Sequence, residues 1–246
     1  MNALALLGAV GIGLVLGLTG SGGSILTLPV LVYLAGIEPR EAVALSLLVV
    51  GAAATAGAWQ RARAGEVYLK AAMMFAVSGM LGATLGATLT PLVSADALML
   101  TFAGVMIALG LRIILAPTSA HQPEAECRPL RCLAAGFGVG VLTGFLGVGG
   151  GFLLMPALVK FARLPQRVAT GTSLAVIAAN SAAGFFGHLE NARVPWMLAL
   201  VFSSIAVGGV LIGGKIAARL AEDKLRKGFA LLVFLTAAMV LWMTLR

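Results

Sequence analysis

The groups in this chain best placed to do chemistry are backbone amides and small hydroxyls. The glycine-rich turn GSGGS comprises Gly20, Ser21, Gly22, Gly23 and Ser24, and a second such turn, GVGGG, runs from Gly147 to Gly151. Each stands directly before a segment that reads as a helix. Glycine permits backbone conformations that present several N–H groups to one point. A helix N-terminus adds unsatisfied donors and partial positive charge. Together these can hold a small anion without any lysine or arginine. The candidate ligands are Gly20, Ser21, Gly22, Gly23 and Ser24 in the first turn and Gly147, Gly149, Gly150 and Gly151 in the second. The competing reading is that the glycines only permit a sharp bend or close helix packing. A nucleotide-binding loop fits poorly, because no strand precedes either turn and no lysine follows it.

Hydroxyl and amide side chains inside apolar segments extend this set. Ser46, Thr172, Ser173 and Asn180 could donate to an anion's oxygens, with Ser181 a weaker candidate. Their alternative is local: such groups often bond back to the preceding turn or bridge helices. Arg40 and Arg167, one near each face, could form an entrance that attracts anions, or simply anchor helix ends. All nine acidic residues fall in loops or at segment ends. A carboxylate relay within the membrane is therefore not expected. His188 sits at a helix end, where a surface role is the simpler reading. No catalytic triad, haem ligand pair or metal cluster is evident, so neither an enzyme nor a cofactor or metal site is expected. Cys127 and Cys132, in CRPLRC, have the wrong spacing for a redox or zinc pair and read as incidental thiols.

The elements that must position these residues are membrane helices. Hydrophobic residues make up 60% of the chain and charged residues 11%, and the mean hydropathy is +1.04. A soluble domain of 246 residues cannot cover its surface with that composition. The net charge of +8 would raise nucleic acid as a partner in a soluble protein. Here the basic residues cluster at segment ends, where they set topology and meet anionic head groups, and no nucleic acid is expected. The N-terminus has no lysine or arginine before Arg40 and does not read as a signal peptide.

The two turns mark an internal repeat with an offset of 127 residues. From Gly17 to Val67, 18 of 51 positions match Gly144 to Val194 without a gap. Gly17, Gly20, Gly22, Gly23, Leu26, Pro29, Arg40, Ser46 and Leu47 meet Gly144, Gly147, Gly149, Gly150, Leu153, Pro156, Arg167, Ser173 and Leu174. The chain divides into repeat one (1–115), a polar linker (116–129) and repeat two (130–246). Each repeat carries five apolar segments. In the fourth, the pairs Gly82/Gly86 and Gly209/Gly213 predict close helix packing.

The first two segments of each repeat are short: fifteen residues reach only about 22 Å, against roughly 30 Å of hydrocarbon. They predict either a re-entrant hairpin with the glycine turn at its tip or two tilted, thin spans. Both leave an odd number of crossings per repeat, so the halves must be inverted. Assigning segment ends to alternate sides puts fourteen of the 17 basic residues on one face, with only Arg40, Arg193 and Arg246 on the other. That bias predicts a cytoplasmic linker and both termini outside. Duplicated broken helices in an inverted repeat point to a transport site near the bilayer midplane.

The stretches GSGGSILTLPVL (Gly20–Leu31), GVGGGFLLMPAL (Gly147–Leu158), ATGTSL (Ala169–Leu174) and NARVPW (Asn191–Trp196) resemble the sulfite exporter TauE/SafE family of bacterial inner-membrane permeases. The likeness covers nearly the whole chain apart from the linker. It implies export of sulfite, organosulfonates or related small sulfur-containing anions across the inner membrane. Repeat one departs from the family's TSL motif, carrying Leu45–Ser46–Leu47, so only Ser46 transfers. The expectation is an all-α polytopic membrane transporter built from two inverted repeats. Its expected partners are the bilayer and a small anionic substrate, with a homodimer left open. A passive anion channel and a permease for an unrelated organic anion stand as alternatives.

Overall fold

The computed structural model describes residues 3–115, 128–146, 151–188, 195–220 and 222–244. All regular structure among them is helical, in ten α-helices: α1 (Ala3–Thr19), α2 (Gly23–Pro29), α3 (Pro39–Arg63), α4 (Leu69–Leu89), α5 (Ala95–Leu115), α6 (Pro129–Leu146), α7 (Gly151–Phe161), α8 (Gln166–His188), α9 (Trp196–Ala217) and α10 (Glu222–Thr244). A π-helical turn, Val30–Leu34, extends α2, and a 3₁₀ turn, Thr90–Leu92, follows α4. Among the described residues five helices are long and apolar enough to cross a membrane: Glu41–Arg63, Leu69–Leu92, Pro129–Leu146, Gln166–Gly187 and Trp196–Ala217. The chain is a multi-pass membrane protein.

The repeat is visible in the backbone. Helices α3, α4 and α5 begin 127 residues before α8, α9 and α10, respectively. The turn after the second segment has the same form in both halves. Ile37 N–H donates to Leu31 O at 3.1 Å, and Leu164 N–H donates to Leu158 O at 3.4 Å. Both bonds run back six residues, one more than the long bond of a Schellman ending, and each follows a residue in the left-handed region. Gly36 supplies it in one half (φ 70°) and Arg163 in the other (φ 50°). A non-glycine residue holding that conformation shows that the surrounding fold, rather than local preference, dictates the turn.

The two halves interlock through their glycines. Helix α1 packs on α9, where Gly13 and Gly17 meet the backbone of Ala206, Gly209, Val210 and Gly213. Helix α6 packs on α4 in the equivalent way, Gly140 and Gly144 against Gly79 and Ala83, with Gly82 and Gly86 against the α6 backbone. A Cβ at Gly82, Gly140 or Gly144 would sit within the partner helix's carbonyls. Backbone contact this close gains dispersion energy that lipid cannot supply. The predicted packing role of the Gly82/Gly86 and Gly209/Gly213 pairs is what these residues perform. The sequence did not show that each crossing joins the first segment of one half to the fourth of the other.

Helices α1 and α2 form an antiparallel hairpin. Gly23 lies against Ile12 and Leu16, and Val30 lies against Gly8. The second segment is short in both halves, at 12 residues for Gly23–Leu34 and 11 for α7. The first is longer than its apolar run suggested: α1 has 17 residues and α6 has 18, enough for α6 to qualify as a span. These helices continue to Thr19 and Leu146, beyond the expected boundary. Cys132, at the start of α6, is buried and disulfide-bonded, so the reading of it as a free thiol does not hold.

Candidate functional site

The first glycine turn is the tip of the α1–α2 hairpin, and it is driven into the middle of the bundle. Helix α1 ends at Thr19, and Gly20 follows in the left-handed region at φ 72°. Its N–H donates to Leu16 O at 2.8 Å, closing the last helical turn. A Cβ at Gly20 would run into the Thr170 side chain. The residues from Thr19 to Ile25 are all buried.

Two helices of the second half, α7 and α8, pack against this tip. The Ser173 hydroxyl, on α8, lies 3.0 Å from Gly20 O and 2.8 Å from Thr170 O. Gly151, the first residue of α7, faces the turn: a Cβ there would lie 3.0 Å from Ser24 Oγ and 3.1 Å from Ser21 O, and would press on Ile177. The Ser21 hydroxyl reaches Met155 Sδ at 3.9 Å, a weak partner. Thus Gly20, Ser21, Ser24, Gly151 and Ser173 come together. Gly147, Gly149 and Gly150 lie outside the described residues.

The first turn's donors are largely engaged within the turn. Thr19 Oγ1 accepts from Gly22 N–H at 2.7 Å and from Ser21 N–H at 3.4 Å, while its own proton goes to Val15 O at 2.9 Å. Ser24 Oγ–H donates to Ser21 O at 2.7 Å. An open cradle formed by the Ser21 and Gly22 amides is therefore not what this conformation presents. Sequence reasoning missed Thr19, although a threonine just before a glycine turn is the ordinary signature of a hydroxyl-capped turn. The equivalent position in the second half is Leu146, which has no hydroxyl. Thr90 was also missed. Its hydroxyl donates to Phe145 O at 3.0 Å and so satisfies the end of α6 next to the second turn.

The remaining candidates divide. Ser46 Oγ–H donates to Val43 O at 2.8 Å within α3. Thr172 Oγ1 accepts from Tyr68 N–H at 2.9 Å, tying the α3–α4 loop to α8. That loop is held further by the Arg61–Glu66 ion pair and by contact of Glu66 O with Gly171. Asn180 lies two helical turns beyond Ser173, against Gly79 of α4. Arg167 is exposed in the first turn of α8, and Arg40 occupies the first turn of α3. Among the described residues no cluster of three or more His, Cys, Asp or Glu could hold a metal. No ionisable side chain occurs between Thr19 and Ile25 or between Ala169 and Ile177. These stretches offer dipoles and hydrogen bonds, and the Arg61–Glu66 ion pair is packed against Gly171.

Over residues 4–240 the sequence matches the family described as "Sulfite exporter TauE/SafE". The chain belongs to the TauE/SafE family. A "Probable membrane transporter protein" of Xylella fastidiosa (strain Temecula1 / ATCC 700964) is 34% identical over 238 residues, covering 94% of this chain and 91% of its own length. The "Probable membrane transporter protein YunE" of Bacillus subtilis (strain 168) is 27% identical over 236 residues, covering 84% and 85%. No solved structure matches. Membership in TauE/SafE, together with these relatives, makes the chain a membrane transporter. Its buried turn cluster is then the natural place to look for a substrate.

Proposed function

We propose that this transporter moves a small sulfur-containing anion, such as sulfite or an organosulfonate, outward across the bacterial inner membrane. The observation carrying this reading is the meeting of the first glycine turn with Gly151 and Ser173 deep in an otherwise apolar bundle. Broken helix segments that meet in the membrane interior are where transporters built from duplicated halves place their substrate. A small polyoxygenated anion matches backbone amides and hydroxyls, which offer donors and no competing negative charge.

The donors differ between the halves. Ser21 Oγ has only a thioether partner and is free to turn toward an anion. In the second half Leu146 stands where the first has its capping threonine, and Gly151 and Ser173 lie beside the first turn. Burial of residues 19–25 favours a carrier over a standing pore, because substrate reaches the turn only if the halves move. The interlocked crossings, α1 on α9 and α6 on α4, support a rearrangement in which the two halves exchange which face is open. Charge bias favours a cytoplasmic linker and external termini.

A thermal-shift titration of the purified protein tests the binding part. Sulfite should raise the melting temperature in a saturable way, and Ser173→Ala with Ser21→Ala should abolish that rise. An undiminished shift in the double variant would place the anion elsewhere.

A further inference from the structure

The face of α8 that carries Ser173 continues with Ile177, Asn180 and Ser181, at spacings of four, seven and eight residues. These positions fall on one stripe of an α-helix. Ser173 bonds to the glycine turn, and Ile177, fully buried, meets Gly151. Asn180 and Ser181 then lie about 10 Å further along the helix axis.

Both side chains are completely buried, and neither the Asn180 amide nitrogen, the Asn180 carbonyl oxygen nor the Ser181 hydroxyl has a hydrogen-bond partner. Leaving one such group unsatisfied in a membrane interior is expensive, and here three atoms share one place. Each side chain faces a glycine on a neighbouring helix. The Asn180 amide lies 2.5 Å (Nδ2) and 2.7 Å (Oδ1) from where a Cβ on Gly79 would be, and Ser181 Cβ lies 3.2 Å from where one on Gly51 would be. The repeat-equivalent positions are Ala53 and Ala54, so the fold tolerates apolar residues there and the polarity is confined to one half.

We infer that Asn180 and Ser181 form a second station on the substrate path, separated from the turn cluster by Ile177, and that it selects a singly charged anion bearing its own proton. This rests on the transport reading above and deepens it. The donor atoms, Nδ2–H and Oγ–H, suit anion oxygens, while Oδ1 needs a donor in return. Hydrogen sulfite supplies both, having acceptor oxygens and a hydroxyl; the sulfite dianion supplies none for Oδ1. Charge acts in the same direction. No cation lies between Ala169 and Gly187 on α8, nor between Ala42 and Gln60 on α3, Ala71 and Leu89 on α4, Cys132 and Leu146 on α6, or Gly151 and Val159 on α7, the helices packed against it. The cost of transferring an ion into a low-dielectric site grows with the square of its charge, so an unneutralised dianion is strongly disfavoured there. No buried carboxylate is then needed, because the substrate carries its own proton.

The test is sulfite flux into proteoliposomes containing wild type, Asn180→Leu or Ser181→Ala, measured across neutral pH with melting temperatures in parallel. At fixed total sulfite, wild-type flux should rise as pH falls through neutrality and the hydrogen sulfite fraction grows. Asn180→Leu should lose flux roughly ten- to hundredfold, as expected for removing bonds to a charged ligand. Its melting temperature should stay at or above that of wild type, because no protein–protein hydrogen bond is lost. A merely structural Asn180 predicts the reverse: lowered stability and retained flux. Should Asn180→Leu fail to fold, Ser181→Ala decides: a wild-type rate overturns the station. Flux that follows the dianion upward with pH overturns the selectivity. If the variants match an active wild type, only this inference falls; a wild type that moves no sulfur oxyanion overturns the transport reading as well.

Discussion

Thr19→Val distinguishes a turn that is only a bend from one whose amides serve an anion. The substitution preserves shape and β-branching and removes one hydroxyl. That hydroxyl accepts from two buried N–H groups, Gly22 at 2.7 Å and Ser21 at 3.4 Å. Stranding one buried donor costs about 1–3 kcal/mol, and the longer bond adds less, so the total is about 2–3 kcal/mol. For a chain of this size each kcal/mol corresponds to about 2–4 °C in melting temperature, which gives a fall on the order of 5–10 °C. The same change frees the two amides. If they belong to the anion site, sulfite should now compensate for the missing hydroxyl, and its stabilising shift should exceed that in wild type. Differential scanning fluorimetry in detergent, with and without sulfite, reads both quantities. A melting temperature within about a degree of wild type would refute the capping geometry. A clear fall with an unchanged sulfite shift would mean that the first turn's amides take no part in binding.

Other consequences follow from the same structure. Gly20→Ala should lose about 2–4 kcal/mol, part from the left-handed backbone and part from collision with Thr170 Cγ2. Adding Thr170→Ser should restore the collision part alone, as read by the melting temperatures of the single and double variants. Gly140→Leu, at the α4–α6 crossing, should prevent stable folding, seen as loss of the monodisperse peak in size-exclusion chromatography. Thr172→Val should cost about 1–2 kcal/mol by stranding Tyr68 N–H, while the sulfite concentration giving half-maximal shift stays the same. A reporter fused after Arg246 should be active only outside the cytoplasm if the charge bias sets the topology.

Much of this was legible in the residues, for identifiable reasons. The repeat offset foretold where α8, α9 and α10 begin, because length and hydropathy constrain a span tightly. The glycine pairs of α4 and α9 announced close packing, because a missing side chain in a membrane helix has few other uses. Their partners were not legible: the pairing of α1 with α9 is a tertiary choice that leaves no local mark. The same limit explains the site. Gly20, Ser24 and Ser173 were identified individually, but their convergence with Gly151 depends on how the hairpin enters the bundle. Thr19 carries no mark in the sequence beyond its place before a glycine turn, although its hydroxyl decides which amides are available. Thr172 was open by residue type to a substrate or a helix-bridging role, and the structure shows its oxygen accepting from Tyr68 N–H. Conversely, Asn180 was a candidate for the turn site and lies apart from it, where its lack of any partner is more informative than its chemistry alone.

The most direct test of the central claim is counterflow of labelled sulfite in proteoliposomes containing the wild-type protein. A carrier for small sulfur anions predicts saturable uptake that accelerates when unlabelled sulfite is loaded inside. Uptake no faster than in protein-free vesicles, or uptake indifferent to internal sulfite and linear in external concentration, would contradict it.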